Sequence, residues 1–111
     1  MVILGIDPGY AIVGFGVIDY TGNHFKVLSY GAVNTEAGVD FNLRLNDIYD
    51  GITELIGKYK PDVISIEKLF FNTNNKTAIN VAEARGCTIL ACVKAGVPVY
   101  EYTPLQVKQS V

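Results

Sequence analysis

Two acidic residues stand at the ends of short apolar runs that are typical of buried strands. Asp7 follows residues 2–6, and Glu67 closes the run 62–67. A helix-length segment before residue 62 makes the later strand a natural parallel neighbour of the first. Parallel neighbours place their carboxyl ends at one edge of a sheet, where ligands of open α/β sheets bind. We therefore expect Asp7 and Glu67 to lie close together.

Two carboxylates at such an edge repel each other unless one is protonated or a cation lies between them. Oxygen ligands of this kind suit Mg²⁺, with Mn²⁺ as a substitute. Metal ions held by carboxylates can stabilise the attacking and leaving oxygens of phosphodiester hydrolysis. An Asp that caps a turn and a solvated Glu at a strand end would explain the same spacing, so the pattern alone leaves both interpretations open.

Other catalytic chemistry has little material in this chain. His24 is the only histidine, and Cys87 and Cys92 are five residues apart, which is not a metal-binding spacing. We expect both thiols to be reduced, as in a cytosolic protein. No apolar run approaches the roughly 20 residues of a membrane span. The first residues lack the basic region of a signal peptide, so we expect a strand there.

Charge is unevenly distributed along the chain. The net charge is −2 at pH 7, which argues against an obvious nucleic-acid binder. Residues 1–67 carry four Lys and Arg against nine Asp and Glu, whereas residues 68–111 carry five against two. The second part could therefore bind a polyanion, although a solvated surface explains the same counts.

The hydrophobic pattern predicts the elements that would position the two carboxylates. Strands are expected at 2–6, 12–20, 25–34, 62–67 and 99–102, and helices at 41–56, 77–95 and 105–111. The first three strands should form an antiparallel meander. Thr103 and Pro104 are typical of a helix start, and the chain ends barely two turns later. We therefore expect the chain to be truncated at its C-terminus.

Several short motifs together resemble RuvC-type Holliday junction resolvases. They are Gly5-Ile6-Asp7-Pro8-Gly9 followed by Gly14-Phe15-Gly16-Val17-Ile18, Ile64-Ser65-Ile66-Glu67 followed by Phe70, Ala84-Arg85-Gly86, and Glu101-Tyr102 leading to Gln106-Val107-Lys108-Gln109. Each piece is weak alone, but they occur in the family's order and with compatible spacing along essentially the whole chain. Tyr10 departs from the small hydroxyl residue that many members carry there.

The resemblance implies an α/β fold of the RNase H-like class. Its mixed five-stranded sheet follows the order β-β-β-α-β-α-β with helices packed on it, and residues 1–111 would form a single nuclease domain without its C-terminal helices. It also implies Mg²⁺-dependent symmetric nicking of four-way junction DNA in recombination and repair. The implied partners are a second copy, joined through the helix around 77–95, and the RuvA–RuvB branch-migration helicase complex. The implied location is the bacterial cytoplasm.

The resemblance also assigns roles to individual residues. Asp7 and Glu67 match catalytic metal ligands, and Lys108 matches a catalytic lysine near the scissile phosphate. Phe70 matches an aromatic residue that stacks on bases near the junction centre. The alternatives are a core position for Phe70 and an ordinary surface position for Lys108.

Three further residues are candidate DNA contacts. Asn74 and Lys76 belong to a polar loop and could contact phosphates, or simply be solvated loop residues. Arg85 could bind a phosphate, or it could pair with Glu83 or Glu101.

The family's remaining two carboxylates are an Asp pair on a C-terminal helix, and no Asp or Glu follows Glu101. Two-metal catalysis needs three or four carboxylates, so we expect this polypeptide to be inactive or severely impaired. Three alternatives stay open from sequence. They are a RuvX (YqgF)-like nuclease, an actin-like ATPase with an Asp-x-Gly phosphate loop at Asp7–Gly9, and a non-catalytic module that only dimerises and binds branched DNA.

Overall fold

The computed structural model describes residues 1–7, 12–35, 38–68 and 78–102 of the 111-residue chain. The elements within these ranges are β1 Val2–Asp7, β2 Ile12–Thr21, β3 His24–Asn34, α1 Phe41–Tyr59, β4 Val63–Glu67, α2 Ala78–Lys94 and β5 Val99–Tyr102. This order confirms the predicted β-β-β-α-β-α-β succession. The helix predicted at 105–111 lies outside the described residues.

The strands form one mixed sheet with the order β3-β2-β1-β4-β5. β1 pairs antiparallel with β2 and parallel with β4, and β4 pairs parallel with β5. The predicted meander is confirmed by the antiparallel pairing of β2 with β3. Gly22 and Asn23 join these two strands with φ values of 50° and 66°. Positive φ at both residues suits the tight turns that match the twist of a hairpin.

One face of the sheet carries the hydrophobic core. Leu4 and Ile6 of β1 and Ile64 and Ile66 of β4 are all buried, because alternate residues of a strand point to the same face. α1 packs on this face through side chains at four-residue intervals, Ile48, Ile52 and Ile56. α2 contributes smaller buried side chains, Ala84, Thr88, Ala91 and Cys92.

The ends of α1 follow from local chemistry. The Asp40 side chain accepts a hydrogen bond of 2.8 Å from the backbone N–H of Asn42, so Asp40 is the N-cap. The helix ends at Tyr59, and the C-cap residue Lys60 adopts a left-handed conformation ahead of Pro61.

Both cysteines are free thiols on α2, as expected. Burial raises the pKa of the Cys92 thiol to about 11, so it is protonated at neutral pH. The Thr88 hydroxyl is also buried, and it donates to the carbonyl of Ala84 at 3.1 Å. Among the described residues, no helix is long and apolar enough to cross a membrane.

Close packing of α1 on β3 yields a stability prediction. A Cβ added at Gly51 would lie 2.7 Å from Cγ1 of Val33, whereas one added at Gly57 on the same helix would meet nothing within 4 Å. We expect Gly51→Ala to lower the free energy of unfolding by about 1–2 kcal/mol, since the clash outweighs the gain in helix propensity. Gly57→Ala, the matched control, should raise it by up to about 1 kcal/mol. Urea unfolding checks both, and an equal gain in the two variants would contradict the packing.

Candidate metal and nucleic-acid site

Parallel pairing of β1 with β4 brings the two predicted carboxylates together. Ile6 lies opposite Ile66, and Asp7 and Glu67 each follow by one residue. Since Ile6 and Ile66 face the core, the alternation places both acidic side chains on the opposite face. The two side chains lie close enough for the charge of Asp7 to raise the pKa of the Glu67 carboxyl. The sequence-based prediction of their proximity therefore agrees with the structure.

The surroundings make a negative charge on Glu67 unfavourable. Burial raises the pKa of its carboxyl, and the neighbouring carboxyl of Asp7 raises it further. A carboxyl with a raised pKa beside a second carboxyl is stabilised by any cation that contacts both. The donors are hard oxygens, which fit Mg²⁺ or Mn²⁺. The residues present at this edge thus fit a divalent ion.

Tyr102 is the third side chain at this edge of the sheet, and no role was predicted for it from the sequence. It lies opposite Glu67 in the pairing of β4 with β5, and its carbonyl accepts a 2.6 Å hydrogen bond from the N–H of Lys68. Burial raises the pKa of its phenol, with smaller contributions from the charges of Glu67 and Asp7. The phenol is therefore a neutral group beside two acids. Strand alternation, counted from the buried neighbours of β4, could have placed it there.

An open groove of about 420 Å³ runs past Asp7 on this face. Tyr30 forms one wall and is 82% exposed, and Tyr102 forms another. Glycine has no side chain, so glycines in the lining of a groove let a ligand approach the backbone closely. The glycines that line this groove are Gly5, Gly14, Gly16 and Gly31.

The predicted DNA contacts have different outcomes. Phe70, Asn74, Lys76 and Lys108 lie outside the described residues, so their roles remain predictions. Arg85 is described, and its side chain is only 18% exposed.

Arg85 forms an ion pair with the carboxylate of Glu101, with Nη2 lying 3.2 Å from Oε2. Of the two acidic partners that the sequence left open, Glu101 is therefore the one that it contacts. A phosphate contact by Arg85 stays a prediction.

The described residues contain no cluster of three or more Asp, Glu, His and Cys side chains that could hold a metal ion. Asp7 and Glu67 are therefore the carboxylates that these residues supply at the sheet edge. The undescribed ranges add Glu36 and no other Asp or Glu to the chain.

Comparison with known proteins assigns the family. The model of the crossover junction endodeoxyribonuclease RuvC family matches residues 3–111. The RuvC proteins of Ruminiclostridium cellulolyticum and Clostridioides difficile are 55% and 57% identical over all 111 residues, which cover 67% and 66% of those proteins. The chain belongs to the RuvC family, which confirms the resemblance drawn from its motifs. It spans about two thirds of the length of these relatives.

A solved structure supports the same assignment. The structure of Thermus thermophilus RuvC in complex with a Holliday junction substrate superposes with a TM-score of 0.90 and 34% identity. The match covers 98% of this chain and 70% of that one. The expected RNase H-like mixed sheet is thereby confirmed.

The raised pKa of Glu67 predicts how stability depends on pH. A carboxyl with a raised pKa in the folded state favours folding only while it is protonated, and this contribution is lost as the pH rises through the raised value. Without divalent ions at pH 7, Glu67→Gln should therefore melt a few degrees above the wild type. Near pH 3, where both states bind the proton, the difference should disappear. Thermal unfolding monitored by circular dichroism at the two pH values measures this.

The matched control is Glu54→Gln, which removes the same charge from an exposed position on α1. It should show no comparable pH-dependent gain. A Glu67→Gln variant that is less stable than the wild type at pH 7 would contradict the unfavourable charge at this edge.

Proposed function

We propose that Asp7 and Glu67 hold a divalent metal ion, Mg²⁺ or its substitute Mn²⁺, for hydrolysis of a phosphodiester bond in four-way junction DNA. The observation that carries this proposal is the pair of neighbouring carboxyl groups at the ends of two adjacent parallel strands, with the pKa of Glu67 raised by burial and by the charge of Asp7. The substrate follows from family membership and from the junction bound to the Thermus protein. A bound ion would supply positive charge to the oxygens of the reacting phosphate.

The protein's own groups orient that chemistry. Asp7 and Glu67 would fix the ion at the floor of the open groove, which leaves room for a DNA backbone beside the glycines. Lys108 would stabilise negative charge on the phosphate in the transition state. Phe70 would stack on a base near the junction centre.

Contacts to the DNA backbone would come from Asn74 through a hydrogen bond and from the positive charges of Lys76 and Arg85. These contacts fix the position of the protein on the junction without reading its sequence. For Arg85 the ion pair with Glu101 competes with this role.

Two carboxylates fix two metal ions poorly. We infer that residues 1–111, taken as one nuclease domain, bind the junction but nick it slowly without further metal ligands. The family resemblance places those ligands in the remaining third of the relatives' length.

The outward surface of α2 favours a homodimer. Ile79 and Val93 are 72% and 62% exposed, and Leu90 between them is also exposed. With Glu83 and Gly86 they form one stripe at helical spacing, and a Cβ at Gly86 would meet nothing within 4 Å. An exposed apolar stripe of this kind suits a second helix. Association with RuvA–RuvB and a place in the bacterial cytoplasm follow from the resemblance and belong to the same proposal.

Substituting one ligand tests the metal site. The wild-type chain and Asp7→Asn would be titrated with Mn²⁺, and each would be incubated with a labelled four-way junction with and without Mg²⁺. We expect Asp7→Asn to lose Mn²⁺ binding and any metal-dependent nicking, because it removes a charged ligand. Junction binding without metal should stay close to the wild type. Near-normal nicking by Asp7→Asn would contradict the site.

A chimera distinguishes two reasons for slow nicking, which are the lack of further metal ligands and a wrong assignment of Asp7 and Glu67 as metal ligands. Joining residues 1–111 to the final third of the Clostridioides difficile relative should restore symmetric nicking, and Asp7→Asn in the same chimera should abolish it. Rapid nicking by the 111-residue chain alone would show that Asp7 and Glu67 suffice, against the inference above.

The dimer has its own test. Leu90→Glu places a charge in the stripe on α2 and should shift the chain toward monomer in sedimentation velocity. Leu43→Glu, an equally exposed apolar position on α1, is the matched control and should not change the oligomeric state. Equal sedimentation of both variants and the wild type would contradict a dimer through α2.

A further inference from the structure

We propose that Arg85 is a positioning residue, which acts through Glu101 to hold β5 against α2 and so keeps Tyr102 beside Asp7 and Glu67. This inference rests on the metal site proposed above and adds two residues that lie outside that site. We propose no contact of Arg85 with Asp7 or Glu67; Arg85 would act on the site by fixing the position of β5.

Strand geometry connects Glu101 to the site. Glu101 lies opposite Ile66, whose side chain is buried toward the helices, whereas Tyr102 lies opposite Glu67 on the other face. Because adjacent residues of a strand point to opposite faces, a tie on Glu101 fixes the plane and rotation of the strand at Tyr102. The Arg85–Glu101 ion pair is such a tie, formed from the helix side of the sheet.

β5 needs support of this kind. It has four residues and lies at the edge of the sheet, with β4 as its only neighbouring strand among the described elements. The N–H of Ile64 donates to Pro98 at 2.9 Å, and the N–H of Lys68 donates to Tyr102 at 2.6 Å. Short edge elements with exposed backbone open at low free energy. An added contact to α2 at position 101 would suppress that opening next to Tyr102.

A contribution to the stability of the fold does not by itself explain the ion pair between Arg85 and Glu101. Its Nε and Nη2 atoms are buried and make no hydrogen bond within the part of the chain that the structure describes. The 3.2 Å contact with Glu101 is thus a charge contact without a well-directed hydrogen bond. A guanidinium has five donors to satisfy, and replacing a buried ion pair with apolar side chains is often neutral or stabilising. A directed connection between α2 and β5 is the function that an apolar pair would not provide.

The test uses Arg85→Met, Glu101→Gln and the double variant of the 111-residue chain. Lys94→Gln is the control, because it removes a positive charge from an exposed position on the same helix. Amide hydrogen exchange would be followed at Lys68 and Ile64, whose hydrogen bonds hold β5, and at Tyr20, which donates to Met1 at 2.8 Å in the β1–β2 pair. Mn²⁺ affinity would be measured by paramagnetic resonance well below the unfolding temperature, and binding of a labelled four-way junction would be measured without metal.

We expect faster exchange at Lys68 and Ile64 in each variant, with Tyr20 and the Lys94→Gln control unchanged. Mn²⁺ affinity should fall about tenfold, the lower range for changes to the residues that surround a metal site. The double variant should be no worse than either single variant, since the two side chains act as one contact. Glu101 is half exposed, so Glu101→Gln decides the question even where Arg85→Met does not fold.

Each contrary outcome points to a different failure. A uniform loss of protection at Lys68 and Tyr20 with unchanged Mn²⁺ affinity would make the pair merely structural and overturn the inference. Unchanged exchange with weaker junction binding by Arg85→Met would assign Arg85 to DNA contact and also overturn it. A wild-type chain that binds no Mn²⁺ would instead overturn the proposed metal site.

Discussion

The candidate site depends on one constraint, which is the electrostatic repulsion between the neighbouring carboxylates of Asp7 and Glu67. Their proximity follows from the parallel pairing of β1 with β4, which the buried side chains on the other face hold in register. The fold thereby places two acidic groups where burial already disfavours a negative charge, and both effects raise the pKa of Glu67. In the proposed site, a divalent cation would turn this unfavourable arrangement into binding free energy.

Because side chains alternate along each strand, one face of the sheet carries the core and the other carries the candidate site. On one face Leu4, Ile6, Ile64 and Ile66 pack against the helices. On the other face the glycines, Asp7 and the two tyrosines line an open groove, and Glu67 follows Ile66 at the end of the strand next to Asp7. Each strand therefore serves the core and the site at once, so the rigidity of the core is available to position the reactive groups.

Sequence patterns predicted most of the fold because the signals were local. Apolar runs and a helical crossover sufficed to place Asp7 beside Glu67. Element ends were less accurate, since backbone hydrogen bonding in α1 continues to Tyr59, past the last apolar residue of the pattern. No role was predicted for Tyr102, although strand alternation could have placed it beside the acidic pair. The sequence left Glu83 and Glu101 open as partners of Arg85, because that choice depends on how α2 packs against β5. The roles of Phe70 and Lys108 rest on motif resemblance alone.

Binding of one divalent ion between Asp7 and Glu67 can be observed in crystals grown with Mn²⁺ and measured for anomalous scattering. We expect an anomalous peak within coordination distance of a carboxylate oxygen from each residue, and this peak should disappear in Glu67→Gln. Manganese bound elsewhere in the chain with no peak at this edge, or an unchanged peak in Glu67→Gln, would contradict a shared metal site.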